Sequence, residues 1–258
     1  MRGNGLRLAV TLLTVVPWPG PPELTESGKA MECAPAVGLL LGVLAGAVLV
    51  AVGDAAGAGS LTGAVLAIAA LALLTRGLHL DGLADLADGL GSGKPAGAAL
   101  DIMRKSDIGP MGVVAVLFAV LLQVSAVAHA DATWRGALVL VTGVVTGRLA
   151  LTWACRTGVP AARPEGLGAL VAGTVRPVVP AVITVVLVAA ASGAGAADGG
   201  GIRPGLTLAG GVLAGLAAAW MLQRHAVRRL GGITGDVLGA LAEVATTVTL
   251  VIATCGRG

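Results

Sequence analysis

Long uncharged stretches dominate this chain and alternate with short segments that carry most of its charge. A membrane-spanning helix needs about 20 mostly apolar residues. Five windows of that length contain no charged residue, a sixth contains only Arg148 and a seventh only Glu243. These windows are 33–53, 55–75, 110–130, 136–155, 177–197, 204–223 and 237–255. The pattern predicts an all-α, polytopic membrane helix bundle of about seven transmembrane helices, with residues 1–258 in a single integral membrane domain.

Residues 8–18 form a further apolar stretch that is too short to cross a bilayer. We expect this stretch to form a short interfacial helix at the N-terminus. Composition supports a lipid environment, since 56% of the residues are hydrophobic and only 12% are charged, against about a quarter charged in soluble domains. The net charge of +3 comes without a basic run interleaved with aromatics, so no nucleic acid is expected as a partner.

The distribution of Lys and Arg predicts the orientation, because cytoplasmic segments carry an excess of both. With the N-terminus inside, twelve of these residues, from Arg2 to Arg229, fall in cytoplasmic segments. Three, namely Arg135, Arg203 and Arg257, fall outside. The pattern therefore predicts a multi-pass protein of the cell membrane with a cytoplasmic N-terminus. The longest cytoplasmic connection, 79–109, is also the most acidic, and we expect it to be a catalytic segment.

Three carboxylates in this segment, Asp81, Asp85 and Asp88, are spaced i, i+4, i+7 and share one helical face. Like charges at this spacing weaken a helix, so a compensating cation is expected. Mg²⁺ prefers oxygen ligands and usually takes one or two carboxylates together with phosphate oxygens and water. A solvated acidic helix at the membrane surface would explain the triplet alone.

Further charged residues accompany the triplet and extend the pattern. Asp107 follows Arg104 and Lys105 in the same connection, and Asp236 begins the last window. Glu243 lies inside that window, where an acid is a functional hypothesis by default or else pairs with the buried Arg148. His79 is offset from the aspartate face, and we expect a packing or hydrogen-bonding role for it. Acids that hold a metal and bases that hold phosphate indicate an Mg²⁺-dependent membrane enzyme that acts on a phosphate or pyrophosphate compound.

The motifs HLDGLADLADGL (79–90) and ALDIMRKSDIGPMGVVAV (99–116) resemble the signature region of the cobalamin synthase family, also called adenosylcobinamide-GDP ribazoletransferase. The segments LLTVVPWP (12–19), PAVGLLLG (35–42), RPEGLGALVAGT (163–174) and LGGITGDVLGALAEV (230–244) are similar to other parts of that family. The resemblance covers nearly the whole chain. Many members read roughly K-D-S-R-I-G where this chain reads RKSDIG at 104–109, so base and acid are exchanged.

The resemblance implies the last joining step of adenosylcobalamin assembly, in which adenosylcobinamide phosphate passes from adenosylcobinamide-GDP to α-ribazole, or its 5′-phosphate, and GMP leaves. It also implies Mg²⁺ as cofactor. For this chain it implies that Asp81, Asp85 and Asp88 bind the metal. Asp107 or Asp236 would complete the metal shell or accept the proton of the attacking hydroxyl. Phosphate oxygens would be bound by Arg104, Lys105 and Arg148. Asp81, Asp85, Asp107 and Asp236 are thus the expected catalytic residues.

Two alternatives remain at this stage. A CDP-alcohol phosphotransferase would share Mg²⁺, membrane and pyrophosphate cleavage, but its D-G-x-x-A-R motif is met only by DGLAD at 81–85, without the arginine. An ion-coupled secondary transporter would place ionisable groups near the bilayer midplane, as only Glu243 and Arg148 are here. The sequence leaves both a monomer and a homo-oligomer open.

Overall fold

The computed structural model describes residues 4–18, 24–55, 57, 59–130, 133–197 and 202–255. Arg2 and Arg257 of the charge count lie outside them, as do residues 56 and 58 of the second apolar window. The described residues form eleven α-helices and contain no β-strand. The helices are α1 (Asn4–Leu13), α2 (Ser27–Val50), α3 (Ser60–Leu74), α4 (Leu78–Gly91), α5 (Ala96–Ile102), α6 (Pro110–Ala128), α7 (Thr133–Ala154), α8 (Leu167–Val171), α9 (Val178–Ala196), α10 (Ile202–Leu230) and α11 (Gly235–Thr254).

Six segments are long and apolar enough to cross a membrane, and they contain α2, α6, α7, α9, α10 and α11. Together α3 and α4 are apolar enough for a seventh span, but they meet at an angle of 86°. Arg76 and Gly77, between them, both adopt left-handed backbone conformations, with φ of 54° and 67°. The two helices therefore cannot both lie along the membrane normal. The expected all-α polytopic membrane bundle is confirmed.

Two helices, α7 and α11, form the centre of the bundle. In each of them 78% of the most apolar window is buried, against 28% in α6 and 17% in α9. The exposed side chains of the outer helices are mostly Val, Leu and Ile, as expected for surfaces that face lipid. The polar groups of α7 and α11 are consequently enclosed by protein.

Glycines allow α2 to pack directly on α7. Gly38, Gly42 and Gly46 repeat every four residues and face α7. A Cβ atom at Gly42 would lie 2.9 Å from the Cα atom of Val141, so a larger side chain would force the helices apart. This contact follows the small-residue packing typical of membrane helices.

The connections at one end of the bundle pack against one another, and we call this end the site face. Ala162 donates a backbone hydrogen bond to the carbonyl of Ile233 at 3.0 Å, which joins the segment after α7 to the segment before α11. Arg229, at the end of α10, donates to the carbonyl of Lys94 at 3.2 Å. The three connections that the charge pattern predicted to share one side, 79–109, 156–176 and 224–236, therefore do so.

The N-terminal helix α1 also lies at the site face. It has 10 residues, and its Gly5 packs so closely on Lys29 at the start of α2 that a Cβ atom there would lie 2.7 Å from the Lys29 Cβ. The chain after it is held by Val15, whose N–H donates to the carbonyl of Leu74 at 2.8 Å. A short helix that does not cross the membrane was predicted at residues 8–18, and the observed helix begins four residues earlier.

Candidate active site

Close packing between α4 and α11 positions the acidic residues of the site face. Gly82 faces the first turn of α11, where an added Cβ would lie 2.8 Å from the carbonyl oxygen of Asp236. Gly239 faces α4 in the same way, and a Cβ added to it would lie 3.2 Å from the Cα of Gly82. Because the two backbones touch, Asp81 and Asp85 on α4 are brought beside Asp236 on α11.

A cleft of about 290 Å³ opens between these helices and the segment that precedes α8. Its polar lining residues are His79, Asp81, Arg163, Glu165, Thr234 and Asp236. Its apolar wall comes from six parts of the chain and includes Leu13, Met31, Leu78, Leu151, Leu167, Ile233 and Leu238. On the other side of Asp81 lies a more open groove of about 560 Å³ between α1, α4 and α6, and Asp81 lines this groove too. Asp81 is therefore accessible from two sides.

The carboxylates around the cleft repel one another. Burial, followed by the neighbouring charges of Asp81, Asp236 and Asp88, raises the pKa of Asp85 to about 6, and the charge of Arg163 opposes this shift. Asp236 accepts a hydrogen bond from the Thr234 hydroxyl at 3.2 Å, and the same hydroxyl accepts from the N–H of Val237 and so caps α11. Arg163 acts electrostatically on Asp85 and Asp236, and the acids around the cleft outnumber it, so the site carries an excess of negative charge.

Asp88 has a different environment from the other two aspartates of the triplet. One of its carboxylate oxygens accepts from the N–H of Gly109 at 2.7 Å and the other from the N–H of Gly112 at 2.9 Å. These N–H groups belong to the N-terminus of α6, so Asp88 caps that helix from α4. The expected metal role of Asp88 stays a prediction, and both of its oxygens have a structural use.

The carboxylates suit Mg²⁺ in their chemistry. Within the described ranges, no three His, Cys, Asp or Glu side chains lie close enough to hold a metal ion by themselves. Mg²⁺ does not require such a set, because it usually keeps several waters and binds one or two carboxylates plus substrate phosphates. The hard oxygens of Asp81, Asp85 and Asp236, with their excess negative charge, fit this pattern.

Arg163 is the basic residue that lines the cleft, and the sequence did not single it out as a site residue. Its guanidinium donates to the carbonyl of Leu100 at the end of α5, and its Nε atom is buried without a partner in the described structure. Burial and the nearby Arg104 lower its pKa. Arg163 therefore places a positive charge at the cleft beside the acids, where it suits a phosphate group.

The connection between α5 and α6 lies outside the cleft. Arg104, Lys105 and Asp107 are exposed there, and none of them lines the cleft or the neighbouring groove. Arg104 is close enough to Arg163 to act on it electrostatically. The structure therefore brings the predicted Asp81, Asp85 and Asp236 together and leaves these three at the rim.

Arg148 lies inside the bundle, behind the cleft. It is 3% exposed, and its guanidinium lies 3.5 Å from the Nδ1 atom of His79. His79 is itself buried and lines the cleft, so it separates Arg148 from the ligand space. The expected hydrogen-bonding role of His79 is confirmed. A direct phosphate contact by Arg148 stays a prediction, and the observed geometry gives it contact with the cleft only through His79.

Glu243 is fully enclosed by helices. Its carboxylate accepts a hydrogen bond from the side-chain amide of Gln123 at 2.8 Å, and that amide also donates to Thr247 at 3.0 Å. Within the described residues no ion pair within 4 Å joins Glu243 to Arg148, so these two side chains do not form a contact pair. The amide of a third helix, α6, is the partner that sequence reasoning did not identify.

The missed residues Arg163, Glu165 and Thr234 all lie in segments that carried the family resemblance, RPEGLG and GGITGD. Charge spacing could not identify them, because Arg163 and Glu165 are separated from the aspartates of α4 by at least 70 residues of chain and Thr234 carries no charge. The motifs themselves were the available signal.

The fold and the site define a multi-pass membrane protein with an acidic, phosphate-suited cleft at one face. Within that class, the chain belongs to the cobalamin-5-phosphate synthase family, whose model matches residues 5–254. No solved structure matches the chain significantly.

Curated relatives have the same extent as this chain. The adenosylcobinamide-GDP ribazoletransferase of Frankia casuarinae is 47% identical over 95% of this chain and 92% of its own length. Those of Bradyrhizobium diazoefficiens and a Nocardioides species are 36% and 38% identical, over 96% and 95% of this chain and 92% and 95% of their own lengths. The expected family is thus confirmed, and its similarity extends through every helix of the site.

Proposed function

We propose that this protein is an adenosylcobinamide-GDP ribazoletransferase that performs the final joining step of adenosylcobalamin assembly. The observation that carries this proposal is similarity to enzymes of that name over almost the whole chain, at up to 47% identity. The cleft agrees with it, because carboxylates and an arginine beside an apolar wall suit a nucleotide with a pyrophosphate. Neither the CDP-alcohol phosphotransferase nor the transporter alternative has comparable support.

The reaction exchanges one phosphate ester bond for another. A ribose hydroxyl of α-ribazole, or of its 5′-phosphate, attacks the phosphorus atom that carries cobinamide, and a new P–O bond forms. The bond between this phosphorus and the bridging oxygen of the pyrophosphate breaks, and GMP leaves with that oxygen. The hydroxyl proton must be accepted by a base. The protein's task is mainly to position the groups and to balance their charge.

We assign roles to the residues by their positions. Asp81 and Asp85 would hold Mg²⁺ beside the pyrophosphate, whereas Asp88, which the sequence predicted as a third ligand, caps α6 with both of its oxygens. Arg163 binds phosphate oxygens, and Arg104 and Lys105 attract the anionic substrate at the rim. Asp236 accepts the proton of the attacking hydroxyl, since it lines the cleft and Asp107 does not. When bound, Mg²⁺ supplies neutralisation of the charge that develops on the phosphate oxygens.

The proposed location is the cell membrane, with the site face in the cytoplasm. The excess of Lys and Arg in the connections of that face supports this orientation. Two cysteine positions make it testable. Lys94 is exposed at the site face, and Cys255 is exposed after the end of α11, at the opposite end. In intact cells a membrane-impermeant maleimide should label Cys255 and should not label Lys94→Cys in a Cys255→Ser background. The reverse pattern would invert the orientation.

The catalytic proposal is tested by incubating the purified protein in lipid nanodiscs with adenosylcobinamide-GDP, α-ribazole and Mg²⁺. Adenosylcobalamin and GMP should appear in equal amounts, and neither should appear without α-ribazole. Release of GMP alone would indicate hydrolysis and would contradict the assignment. An active relative assayed in parallel confirms that the substrates are competent.

A further inference from the structure

Glu165 lines the cleft beside the catalytic aspartates, and the proposed reaction gives it no role. Its carboxylate has no hydrogen-bond or ion-pair partner within the part of the chain that the structure describes. It also belongs to no group of side chains there that could hold a metal ion. An ionised carboxylate can only accept hydrogen bonds, so Glu165 is available to accept N–H groups from a ligand.

The backbone on both sides of Glu165 is fixed against the start of α11. Gly166 has a φ of 88°, which turns the chain sharply after the glutamate. A Cβ atom at Gly168 would lie 2.5 Å from the carbonyl oxygen of Ile233, so this segment packs directly against the residues that precede α11. Before the glutamate, the Ala162 N–H donates to the carbonyl of Ile233. The backbone of Glu165 is therefore fixed at the cleft, and its exposed side chain lines that cleft.

The size and lining of the cleft limit its occupant. Ligand pockets range upward from about 300 Å³, and this one, at about 290 Å³, lies at the lower end of the range. A corrinoid is far larger than this space. Leucine and methionine side chains, including Leu13, Met31 and Leu151, offer apolar contact to a flat ring. The cleft therefore suits a nucleoside-sized group.

Two such groups take part in the proposed reaction, and their hydrogen-bonding edges differ. Guanine presents two adjacent donors, N1–H and the N2 amino group, which match the two oxygens of a carboxylate. The benzimidazole of α-ribazole has no N–H, and its free ring nitrogen is an acceptor that a carboxylate repels. Resting on the proposed function, we infer that this cleft is the guanosine subsite and that Glu165 recognises guanine by accepting both donors.

Nucleotide discrimination by the purified protein tests this inference. Binding of GMP, IMP and AMP is measured by calorimetry, in the presence of Mg²⁺, for the wild type, Glu165→Gln and Glu165→Ala. The wild type should prefer GMP, bind IMP less tightly because IMP lacks the amino group, and bind AMP most weakly. Glu165→Ala should weaken GMP binding about 10-fold to 100-fold, as expected for paired hydrogen bonds to a charged acceptor, and leave AMP binding unchanged.

Simple electrostatics predicts the opposite sign, because removing a negative charge near a nucleotide should strengthen binding of all three. Asp101→Asn is the matched control. Asp101 is exposed on α5 and close enough to Arg163 to affect it, yet it does not line the cleft. This variant should keep the preference for GMP.

Equal changes in GMP and AMP binding for Glu165→Ala would overturn the inference. A raised KM for α-ribazole with unchanged GMP binding would also overturn it, since the cleft would then hold the acceptor. These results are distinct from failure of the proposed function, which would appear as absence of adenosylcobalamin formation by the wild type. Nucleotide preference is measured without turnover, so each idea can fail alone.

Discussion

Two sets of acidic residues, at the site face and inside the bundle, differ in how their charge is accommodated. Glu243 is enclosed between α6 and α11 and accepts a hydrogen bond from the amide of Gln123. Asp81, Asp85 and Asp236 line or adjoin an open cleft, and the acids there outnumber the single arginine. An internal acid with a polar partner can serve the bundle alone, whereas acids gathered without enough cations need a ligand. We therefore expect the acids of the site face to take part in the reaction and Glu243 to serve packing.

The largest expected effect is at the site face. Asp81→Asn and Asp236→Asn keep the size of the side chain and remove its charge. Each substitution should lower turnover by about 10³-fold or more, because metal binding or proton acceptance is lost. Either function lowers the activation free energy by several kcal/mol. Adenosylcobalamin formation is measured in nanodiscs, with thermal unfolding as a check of the fold. Activity within tenfold of wild type would remove the residue from the proposed machinery.

Removal of divalent cations should produce a loss of similar size that is reversible. Treatment with EDTA should abolish turnover, and added Mg²⁺ should restore it. Because the aspartates repel one another without a cation, the chelated protein should also change its thermal unfolding temperature when Mg²⁺ is added. Turnover that persists in EDTA would contradict the metal proposal and would leave the family assignment intact.

Substitutions of Asp88 test whether this residue is a helix cap or a metal ligand. Asp88→Asn keeps a carbonyl oxygen that can cap α6, so we expect turnover within about tenfold of wild type. Asp88→Ala removes the cap and should destabilise the protein by about 0.5–2 kcal/mol. Chemical or thermal unfolding in detergent measures this difference. If Asp88→Asn loses as much activity as Asp81→Asn, Asp88 is a metal ligand as the sequence predicted.

The smallest effect on activity is expected inside the bundle. Glu243→Gln preserves an oxygen that can accept from Gln123, so turnover should change by less than about threefold. Glu243→Leu leaves the Gln123 donor without this partner and should cost about 1–3 kcal/mol of stability. A large loss of turnover in a stable Glu243→Gln protein would break the comparison and make the interior acid part of the reaction.

Most of the helices and the membrane class could be predicted from hydropathy, because span length and charge exclusion are properties of local sequence. The 86° bend between α3 and α4 was not predicted, since it depends on two adjacent left-handed residues, one of them Arg76. The i, i+4, i+7 spacing of Asp81, Asp85 and Asp88 correctly placed them along one helix. It could not show that Asp88 reaches the end of another helix.

By itself, the sequence determined the class of fold, the family and the acidic character of α4. Only the tertiary structure decided which distant residues meet these acids. Asp236, Arg163 and Glu165 reach the cleft because glycines at 82, 168 and 239 let backbones touch. Arg148 and Glu243, the two charges that interrupt the apolar windows, have His79 and Gln123 as neighbours. Those pairings depend on how helices pack across the bundle, and no spacing along one chain encodes them directly.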